Sequence, residues 1–241
     1  MPVSNRLETA TRPAFLPRGV AAPEVGALPL AGITILLVED SRFASDALRL
    51  ICQRSGARLR RAESIAKAWA HLRTYCPDVV IVDLGLPDGR GDRLIRDLGN
   101  SGRVQVVLGL SGDPDGRALA LAAGAKGFLE KPLHSLGAFQ RAILRHVPGR
   151  FAPTVRDDDD PFNVAADPLA LRDDLVHAAA LLAAAPDAAA RGYLARFVAG
   201  IARSAGDTDL AEAAGAAARG DEGVARLRSL VQRRLGDSAA F

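Results

Sequence analysis

The sequence predicts an α/β fold with a five-stranded, doubly wound parallel sheet, followed by an all-α helical bundle. Over residues 33–147, short apolar runs rich in β-branched residues alternate with segments whose apolar residues recur at helical spacing. That alternation is typical of parallel sheets covered by helices. Residues 166–236 are instead rich in alanine and carry helical spacing throughout, and 241 residues suffice for two such domains.

The five predicted strands are the apolar runs of the first domain, at residues 33–38, 57–62, 78–83, 104–111 and 127–130. The first run, ITILLV, is apolar without interruption, as expected of a strand buried on both faces. A helix follows in SRFASDALRLICQRSG, where Phe43, Leu48 and Ile51 recur at helical spacing and Gly56 ends the helix. Further helices are predicted at residues 64–75, 89–99, 114–124 and 135–147.

Three further segments complete the predicted organisation. Residues 1–32, rich in proline and without periodicity, are predicted to form an N-terminal arm, with a packed extra strand or helix as the alternative. Residues 148–165 hold three prolines and four consecutive aspartates, a composition that favours a linker. The acidic run is expected to be a solvated spacer, and the alternative is an acidic mimic that docks on a basic protein face. Helices are predicted at 168–184, 187–204, 207–219 and 221–235. Their apolar stripes cannot stay exposed, so we expect the helices to pack into a bundle or to dock on a partner.

Composition excludes several classes of protein. With 49% hydrophobic and 24% charged residues, the chain is neither largely disordered nor fibrous, and no apolar run approaches the roughly 18 residues of a membrane span. Two cysteines, Cys52 and Cys76, cannot build a disulfide scaffold, and the N-terminus lacks the pattern of a secretory signal. We therefore expect a soluble, cytoplasmic protein that does not bind membranes.

The net charge of +3 is unevenly distributed. Residues 1–150 carry 21 basic and 14 acidic side chains, a balance of +7, whereas residues 151–241 carry 10 arginines and 14 acidic side chains, a balance of −4. Because an acidic surface repels phosphate backbones, we expect no nucleic-acid partner. A transcriptional or RNA-binding regulator is the alternative function, and strong, salt-sensitive binding would favour it.

Three carboxylates follow predicted strands at the point where each strand ends. Glu39 and Asp40 come directly after the first strand, and Asp83 ends the third. The carboxyl ends of parallel strands share one edge of the sheet, where ligands bind. Carboxylates gathered there repel one another unless a cation neutralises them, and their oxygens suit Mg²⁺. The sequence therefore predicts a magnesium site at this edge.

The same edge gains a hydroxyl and an ammonium group. Ser111 ends the fourth predicted strand, and Lys131 directly follows the fifth. A carboxylate nucleophile, a metal cation and donors that stabilise the transferring oxygens form a set suited to phosphoryl transfer onto an aspartate. We therefore expect phosphoryl chemistry at a carboxylate of this edge.

These motifs resemble the receiver domain of two-component response regulators. The matching segments are LLVEDS, DVVIVDLGLPDGRG, LGLSG and AAGAKGFLEKPL, and the similarity covers residues 33–147. It implies a flavodoxin-like sheet and phosphorylation of Asp83 by a sensor histidine kinase or a histidine phosphotransfer protein. It further implies Mg²⁺ held by Glu39, Asp40, Asp83 and the carbonyl of Gly85, a phosphoryl group paired with Lys131, and a switch made of Ser111 and Phe128. Ordinary packing at the edge of the core is the alternative for Phe128.

The helical part is similar, over residues 193–235, to the second half of a histidine phosphotransfer domain. The position of that family's histidine falls on Arg196. A guanidinium stays protonated and cannot accept a phosphoryl group, so the resemblance implies a bundle that is not phosphorylated. We expect this bundle to dock on a receiver domain, either its own or that of another protein. Arg196 would then lie near the acidic pocket. The alternatives are a solvated Arg196 and a phosphorelay intermediate that uses His177. The remaining histidines read as surface residues: His71, His134 and His146.

Together these features predict a response regulator that is phosphorylated on Asp83 with Mg²⁺ and signals by phosphorylation-dependent contacts of its helical part with a protein effector. Its only expected chemistry is self-phosphorylation and autodephosphorylation, so it is not expected to be an enzyme in the ordinary sense. The oligomeric state is left open between monomer and homodimer.

Overall fold

The computed structural model describes residues 28–133, 135–147, 167–184 and 186–237. The expectations for an arm and a linker fall largely on residues 1–27 and 148–166, outside the described residues, as does His134. Leu30, near the end of the predicted arm, is fully buried in the core of the first domain. The core therefore reaches upstream of residue 33, where we expected it to begin.

The predicted five-stranded parallel sheet is confirmed. In chain order the strands are β1 (Thr34–Val38), β2 (Arg58–Ala62), β3 (Val79–Asp83), β4 (Gly85–Leu86), β5 (Gly89–Arg90), β6 (Val106–Ser111) and β7 (Gly127–Glu130). The sheet has the order β2-β1-β3-β6-β7, and each of its pairs is parallel. The central strand, β3, ends at Asp83, so this residue lies at the middle of the carboxyl edge of the sheet.

The predicted helices that cover the sheet are also confirmed: α1 (Arg42–Ser55), α2 (Ile65–Thr74), α3 (Gly91–Ser101), α4 (Gly116–Ala122) and α5 (Leu136–Leu144). Helix α1 begins with Ser41, whose side chain accepts a hydrogen bond from the Ala44 N–H, and it ends at Gly56 with φ of 83°. Apolar side chains fill both faces of the sheet, in two separate clusters. This double burial explains why the strands read as uninterrupted apolar runs.

A short hairpin after Asp83 was not predicted. Strands β4 and β5 pair antiparallel, so helix α3 begins at Gly91, whereas we expected it to begin at residue 89. The hairpin returns the chain to the end of β3, and a Cβ on Gly91 would overlap the carbonyl oxygen of Asp83. The glycine is therefore required by this close approach of the backbone.

The four predicted bundle helices are confirmed as α6 (Pro168–Ala183), α7 (Ala188–Ala205), α8 (Thr208–Ala217) and α9 (Asp221–Asp237). They enclose a third apolar cluster, which includes Leu194, Val198 and Leu227. Arg234 near the end of α9 binds both carboxylate oxygens of Asp207, the N-cap of α8, at 2.6 and 3.2 Å. No helix among the described residues is long and apolar enough to cross a bilayer.

The ion pair between Asp207 and Arg234 makes the stability of the bundle depend on pH. The hydrogen bond from Arg234 lowers the pKa of Asp207 below its ordinary value of 3.8. A carboxylate with a lowered pKa stabilises the fold above its unfolded-state pKa, and this stability is lost as the pH falls through the folded-state pKa. In urea unfolding, Arg234→Gln should therefore be less stable than the native chain at pH 7.

This deficit should shrink as the pH falls through the aspartate range toward about 3. Arg233→Gln, in the neighbouring exposed arginine, is the matched control and should unfold like the native chain at both pH values. An equal deficit of Arg234→Gln at neutral and acid pH would contradict this account.

Candidate functional site

The three carboxylates predicted at strand ends converge on one point. One oxygen from each of Glu39, Asp40 and Asp83 lies within 4.8 Å of the other two. Glu39 and Asp83 are buried, and Asp40 is half-buried. The structure thus brings together the acidic residues that the sequence assigned to one site, and their oxygens are of the kind that a hard divalent cation prefers.

Lys131 bridges two of these carboxylates. Its Nζ lies 2.7 Å from Asp83 Oδ1 and 2.5 Å from Glu39 Oε2. The backbone N–H of Lys131 donates to the carbonyl of Ser111 at 2.9 Å, which extends the pairing of β6 with β7 by one residue. The end of the sheet ladder therefore fixes where the ammonium group enters the site.

Burial sets the electrostatics of this edge. It raises the pKa of Glu39 to about 8, a change that Asp83 and Asp40 increase and Lys131 opposes. Burial also raises the pKa of Asp40. Burial alone would lower the pKa of Lys131, but Asp83 and Glu39 raise it above its ordinary value, so Lys131 stays protonated. The site is therefore one where further positive charge is favourable.

Gly85 and Ser111 lie at the edges of the acidic cluster. The Gly85 N–H donates to Asp83 Oδ2 at 2.7 Å. The Ser111 Oγ accepts a hydrogen bond from the Asp113 N–H at 3.0 Å. Both residues line the same cavity as the three carboxylates. Local hydrogen bonds thus fix the Gly85 N–H on Asp83 and the Ser111 hydroxyl on the Asp113 N–H.

Phe128 packs at the edge of the core. It is half-buried against the apolar cluster that covers one face of the sheet. A Cβ on Gly116 would lie 3.3 Å from Phe128 Cζ and 2.8 Å from Ser111 Cβ, so both side chains adjoin the start of α4. These contacts match the packing alternative, and a rotamer change linked to Ser111 stays a prediction.

Arg61 of β2, which was not among the predicted site residues, supports the acidic cluster. Its Nε donates to the carbonyl of Glu39 at 3.1 Å and its Nη2 to that of Asp40 at 2.6 Å. The register of β2 against β1 brings Arg61 level with Leu37, two residues before Glu39. One guanidinium thereby holds the backbone that carries two acidic side chains. Only strand pairing, which is not visible in the sequence, reveals this role.

The helical part lies over the site. The Tyr193 hydroxyl of α7 donates to Asp40 Oδ2 at 2.6 Å. Burial and the charge of Asp40 raise the pKa of Tyr193, which keeps the hydroxyl protonated as a donor. Tyr193 also stacks on Phe197, with 5.8 Å between ring centroids. An aromatic pair of α7 thus anchors the bundle on an acidic residue of the first domain.

Asp174 of α6 makes the second contact between the domains. Its carboxylate accepts hydrogen bonds from Ser41 Oγ at 2.8 Å, from the Arg42 N–H at 3.0 Å and from the Phe43 N–H at 3.1 Å. Asp174 is 3% exposed, and burial raises its pKa. The N-terminus of α1 favours such an anion because its backbone N–H groups lack partners within the helix.

A signal for Asp174 exists in the sequence. Asp174 lies between Leu171 and Ala178 on the face of α6 that carries the apolar residues. A charged residue on such a face is a signal, because a buried carboxylate requires a polar partner. Asp174 was not among the predicted site residues, whereas the nearby His177 was considered as a phosphorylation site. That histidine is exposed, and its ring meets the edge of Phe197 at 5.4 Å between centroids.

Two arginines of α7 complete the lining of the cavity, which has a volume of about 250 Å³. Arg196 is largely exposed, but its Nε lies 3.7 Å from the point that a Cβ on Gly85 would occupy. Arg203, which sequence reasoning did not single out, packs on Gly112, where a Cβ would lie 2.8 Å from its Nε. Arg196 thus lies at the edge of the acidic pocket, and its role in docking stays a prediction.

Comparison with known proteins assigns a family to the first domain. Residues 35–142 match the family model described as the response regulator receiver domain. The KDP operon transcriptional regulatory protein KdpE of Escherichia coli is 34% identical over 148 residues, which are 59% of this chain and 66% of that protein. The virulence transcriptional regulatory protein PhoP of Salmonella typhi is 33% identical over 135 residues, 54% of this chain and 59% of that protein.

The chain spans between about half and two thirds of the length of these curated relatives. The family match ends at residue 142. The resemblance of the helical part to a histidine phosphotransfer domain therefore gains no support from it and stays a prediction.

Solved structures also match the first domain. A two-component response regulator from Clostridium difficile is 22% identical, with a TM-score of 0.44, and the match covers 48% of this chain and 98% of that one. The receiver domain of a sensor histidine kinase from Pseudomonas aeruginosa, with a magnesium ion coordinated in its active site cleft, is 28% identical. Its TM-score is 0.42, and the match covers 48% of this chain and 98% of that one.

Removal of the buried carboxylate should weaken the contact between the domains. Asp174→Ala deletes the three hydrogen bonds to Ser41, Arg42 and Phe43, so we expect the free energy of unfolding to fall by about 1.5–3 kcal/mol. Urea unfolding measures this loss, and faster hydrogen exchange at the amides of Arg42 and Phe43 would assign it to this contact.

Asp173→Ala is the matched control. Asp173 forms an exposed ion pair with Arg42, at 2.7 Å, and its loss should cost less than about 1 kcal/mol. Equal destabilisation by the two substitutions would show that Asp174 does not hold the domains together.

Proposed function

We propose, since residues 35–142 are a response regulator receiver domain, that Asp83 accepts a phosphoryl group and that the helical part responds to it. The observation that carries this proposal is the position of Lys131, whose ammonium group touches both Asp83 and Glu39 within a cluster of three carboxylates. A protonated lysine beside a nucleophilic carboxylate stabilises negative charge on the oxygens of an incoming phosphoryl group.

The acidic cluster fits a magnesium ion. Three carboxylate oxygens lie within 4.8 Å of one another, and burial raises the pKa of Glu39 to about 8, so a cation in addition to Lys131 would favour the ionised form of this carboxylate. Glu39, Asp40, Asp83 and the Gly85 carbonyl would hold the ion. When bound, Mg²⁺ would neutralise charge on the transferring oxygens.

The residues of the chain have distinct roles in the transfer. A carboxylate oxygen of Asp83 attacks phosphorus, the new O–P bond forms, and the P–N bond to the donor histidine breaks, which returns the imidazole to the donor. Lys131 binds the transferred group, and the Ser111 hydroxyl moves toward it together with Phe128. In autodephosphorylation, water attacks the same phosphorus and restores the Asp83 carboxylate.

The donor is a sensor histidine kinase or a histidine phosphotransfer protein, and the output is a protein contact made by helices α6 to α9. Tyr193 and Asp174 support this, because both attach the helical part to the edge of the sheet that carries the phosphoacceptor. Phosphorylation therefore acts where the two domains meet. Self-phosphorylation and hydrolysis at Asp83 are the whole of its chemistry, and the protein acts in the cytoplasm as a monomer or homodimer.

A second candidate function is transcriptional regulation through nucleic acid, contrary to the expectation from charge. It is favoured by the names of two relatives, both transcriptional regulatory proteins. The balance of −4 over residues 151–241 argues against it. A gel shift with duplex DNA at low and high salt distinguishes the two, since strong, salt-sensitive binding would favour the second function.

Phosphorylation should depend on Asp83 and on the metal. With acetyl phosphate and Mg²⁺, we expect intact-mass spectrometry to show one added phosphoryl group that hydroxylamine removes, as for an acyl phosphate. Asp83→Asn lacks the nucleophile and should show none, and a chelator should have the same effect on the native chain.

Asp97→Asn, in an exposed acidic residue of α3, should be labelled like the native chain. Labelling of Asp83→Asn at the native level would refute the assignment of the phosphoacceptor.

A further inference from the structure

One face of α7 lines the cavity above the phosphoacceptor. Arg196, Gly200 and Arg203 follow one another at spacings of four and three residues, which places them on the same side of the helix. All three line the cavity together with the acidic cluster and Lys131. The cavity is thus closed on one side by the sheet edge and on the other by a helix of the second domain.

Arg203 presents a donor without an acceptor. Its Nε is buried and, within the part of the chain that the structure describes, has no hydrogen-bond partner. The guanidinium rests on Gly112, directly after Ser111, and any side chain at position 112 would displace it. Arg203 as a whole is half-buried, and an acceptor that enters the cavity would satisfy its buried Nε donor.

Arg196 adjoins the phosphoacceptor from the other end of the cavity. The point that a Cβ on Gly85 would occupy lies 3.7 Å from Arg196 Nε and 3.4 Å from Asp83 Oδ2. Between the two arginines, Gly200 has no neighbour within 4 Å of its Cβ position, so the middle of the helix face is open. The two cations therefore flank a space instead of filling it.

We propose that Arg203 and Arg196 bind the phosphoryl group on Asp83, so that the helical part of the same chain completes the phosphoryl site. This inference rests on the proposed function. The phosphoryl group carries about two negative charges, about one more than the carboxylate it replaces, and adds three acceptor oxygens. A guanidinium donates to such oxygens in pairs. Phosphorylation then strengthens the docking of α7, which gives the switch its direction.

This arrangement also orders the steps of the cycle. A donor histidine has to reach Asp83 through the opening that α7 covers, and Asp83 is 7% exposed in the docked form. The helical part leaves this opening for transfer and returns afterward. Its return excludes the water whose attack on phosphorus would release inorganic phosphate and regenerate the Asp83 carboxylate.

The test uses the full chain phosphorylated with acetyl phosphate in Mg²⁺ and measures the half-life of the phosphorylated form after the donor is removed. For the double variant Arg196→Gln, Arg203→Gln we expect a roughly tenfold shorter half-life, which corresponds to ~1.4 kcal/mol. Arg203→Lys keeps the charge but loses the paired donors, so its half-life should lie between those of the double variant and the native chain. Arg226→Gln, in an exposed arginine of α9, should keep the native half-life.

A second measurement reports docking instead of chemistry. Beryllium fluoride, a phosphoryl analogue, should slow hydrogen exchange at the amides of Arg42 and Phe43, which Asp174 holds in the docked form. It should do so in the native chain and not in the double variant. As a control for folding, urea unfolding should give the variants the same free energy of unfolding as the native chain.

The outcomes separate this inference from the proposed function. A native chain that takes no phosphoryl group on Asp83 overturns both. A native chain that is phosphorylated, with the double variant matching it in half-life and in protected amides, overturns the role of the arginines alone.

Discussion

The ammonium group of Lys131 holds together a site that is otherwise dominated by negative charge. Glu39 and Asp83 are buried beside each other, and such carboxylates are costly unless a cation pairs with them. Lys131 reaches both, and it does so because its backbone continues the pairing of β7 with β6 past the end of the strand. The position of this lysine therefore depends on the register of β7 against β6.

The two domains are complementary where they meet. The sheet edge has an excess of acceptors, and there α7 supplies a donor, the Tyr193 hydroxyl. The start of α1 has an excess of donors, and there α6 supplies an acceptor, the Asp174 carboxylate. Each contact adds a hydrogen-bond partner at the edge of the first domain, so the bundle is oriented by hydrogen bonds.

Much of this structure was predictable because the signals are local. An apolar run followed at once by an acidic residue identifies both a strand and the edge at which it ends, as for Glu39 and Asp83. The hairpin between Gly85 and Arg90 escaped prediction because strands of two residues have no periodicity. Leu30 escaped because a single buried leucine carries no pattern.

The contacts between the domains escaped prediction for a different reason. Tyr193 and Asp40 are 153 residues apart in the chain, and Asp174 and Ser41 are 133 apart. Nothing in either segment specifies the other. Arg196 was considered only because a family resemblance pointed to its position. Arg203 lies about two turns further along the same face of α7, and no resemblance pointed to it.

Glycines on both sides of the domain contact explain why a cavity persists there. Gly112 admits the guanidinium of Arg203, and Gly200 leaves the facing part of α7 bare. Packing alone would favour larger residues at these positions, because interiors are close-packed and voids cost stability. The open space has carboxylates on one side and arginines on the other. It is therefore suited to a group whose oxygens contact a cation held by the carboxylates and also accept hydrogen bonds from the arginines. A phosphorylated aspartate is such a group, which connects the chemistry of the sheet edge to the placement of the helices.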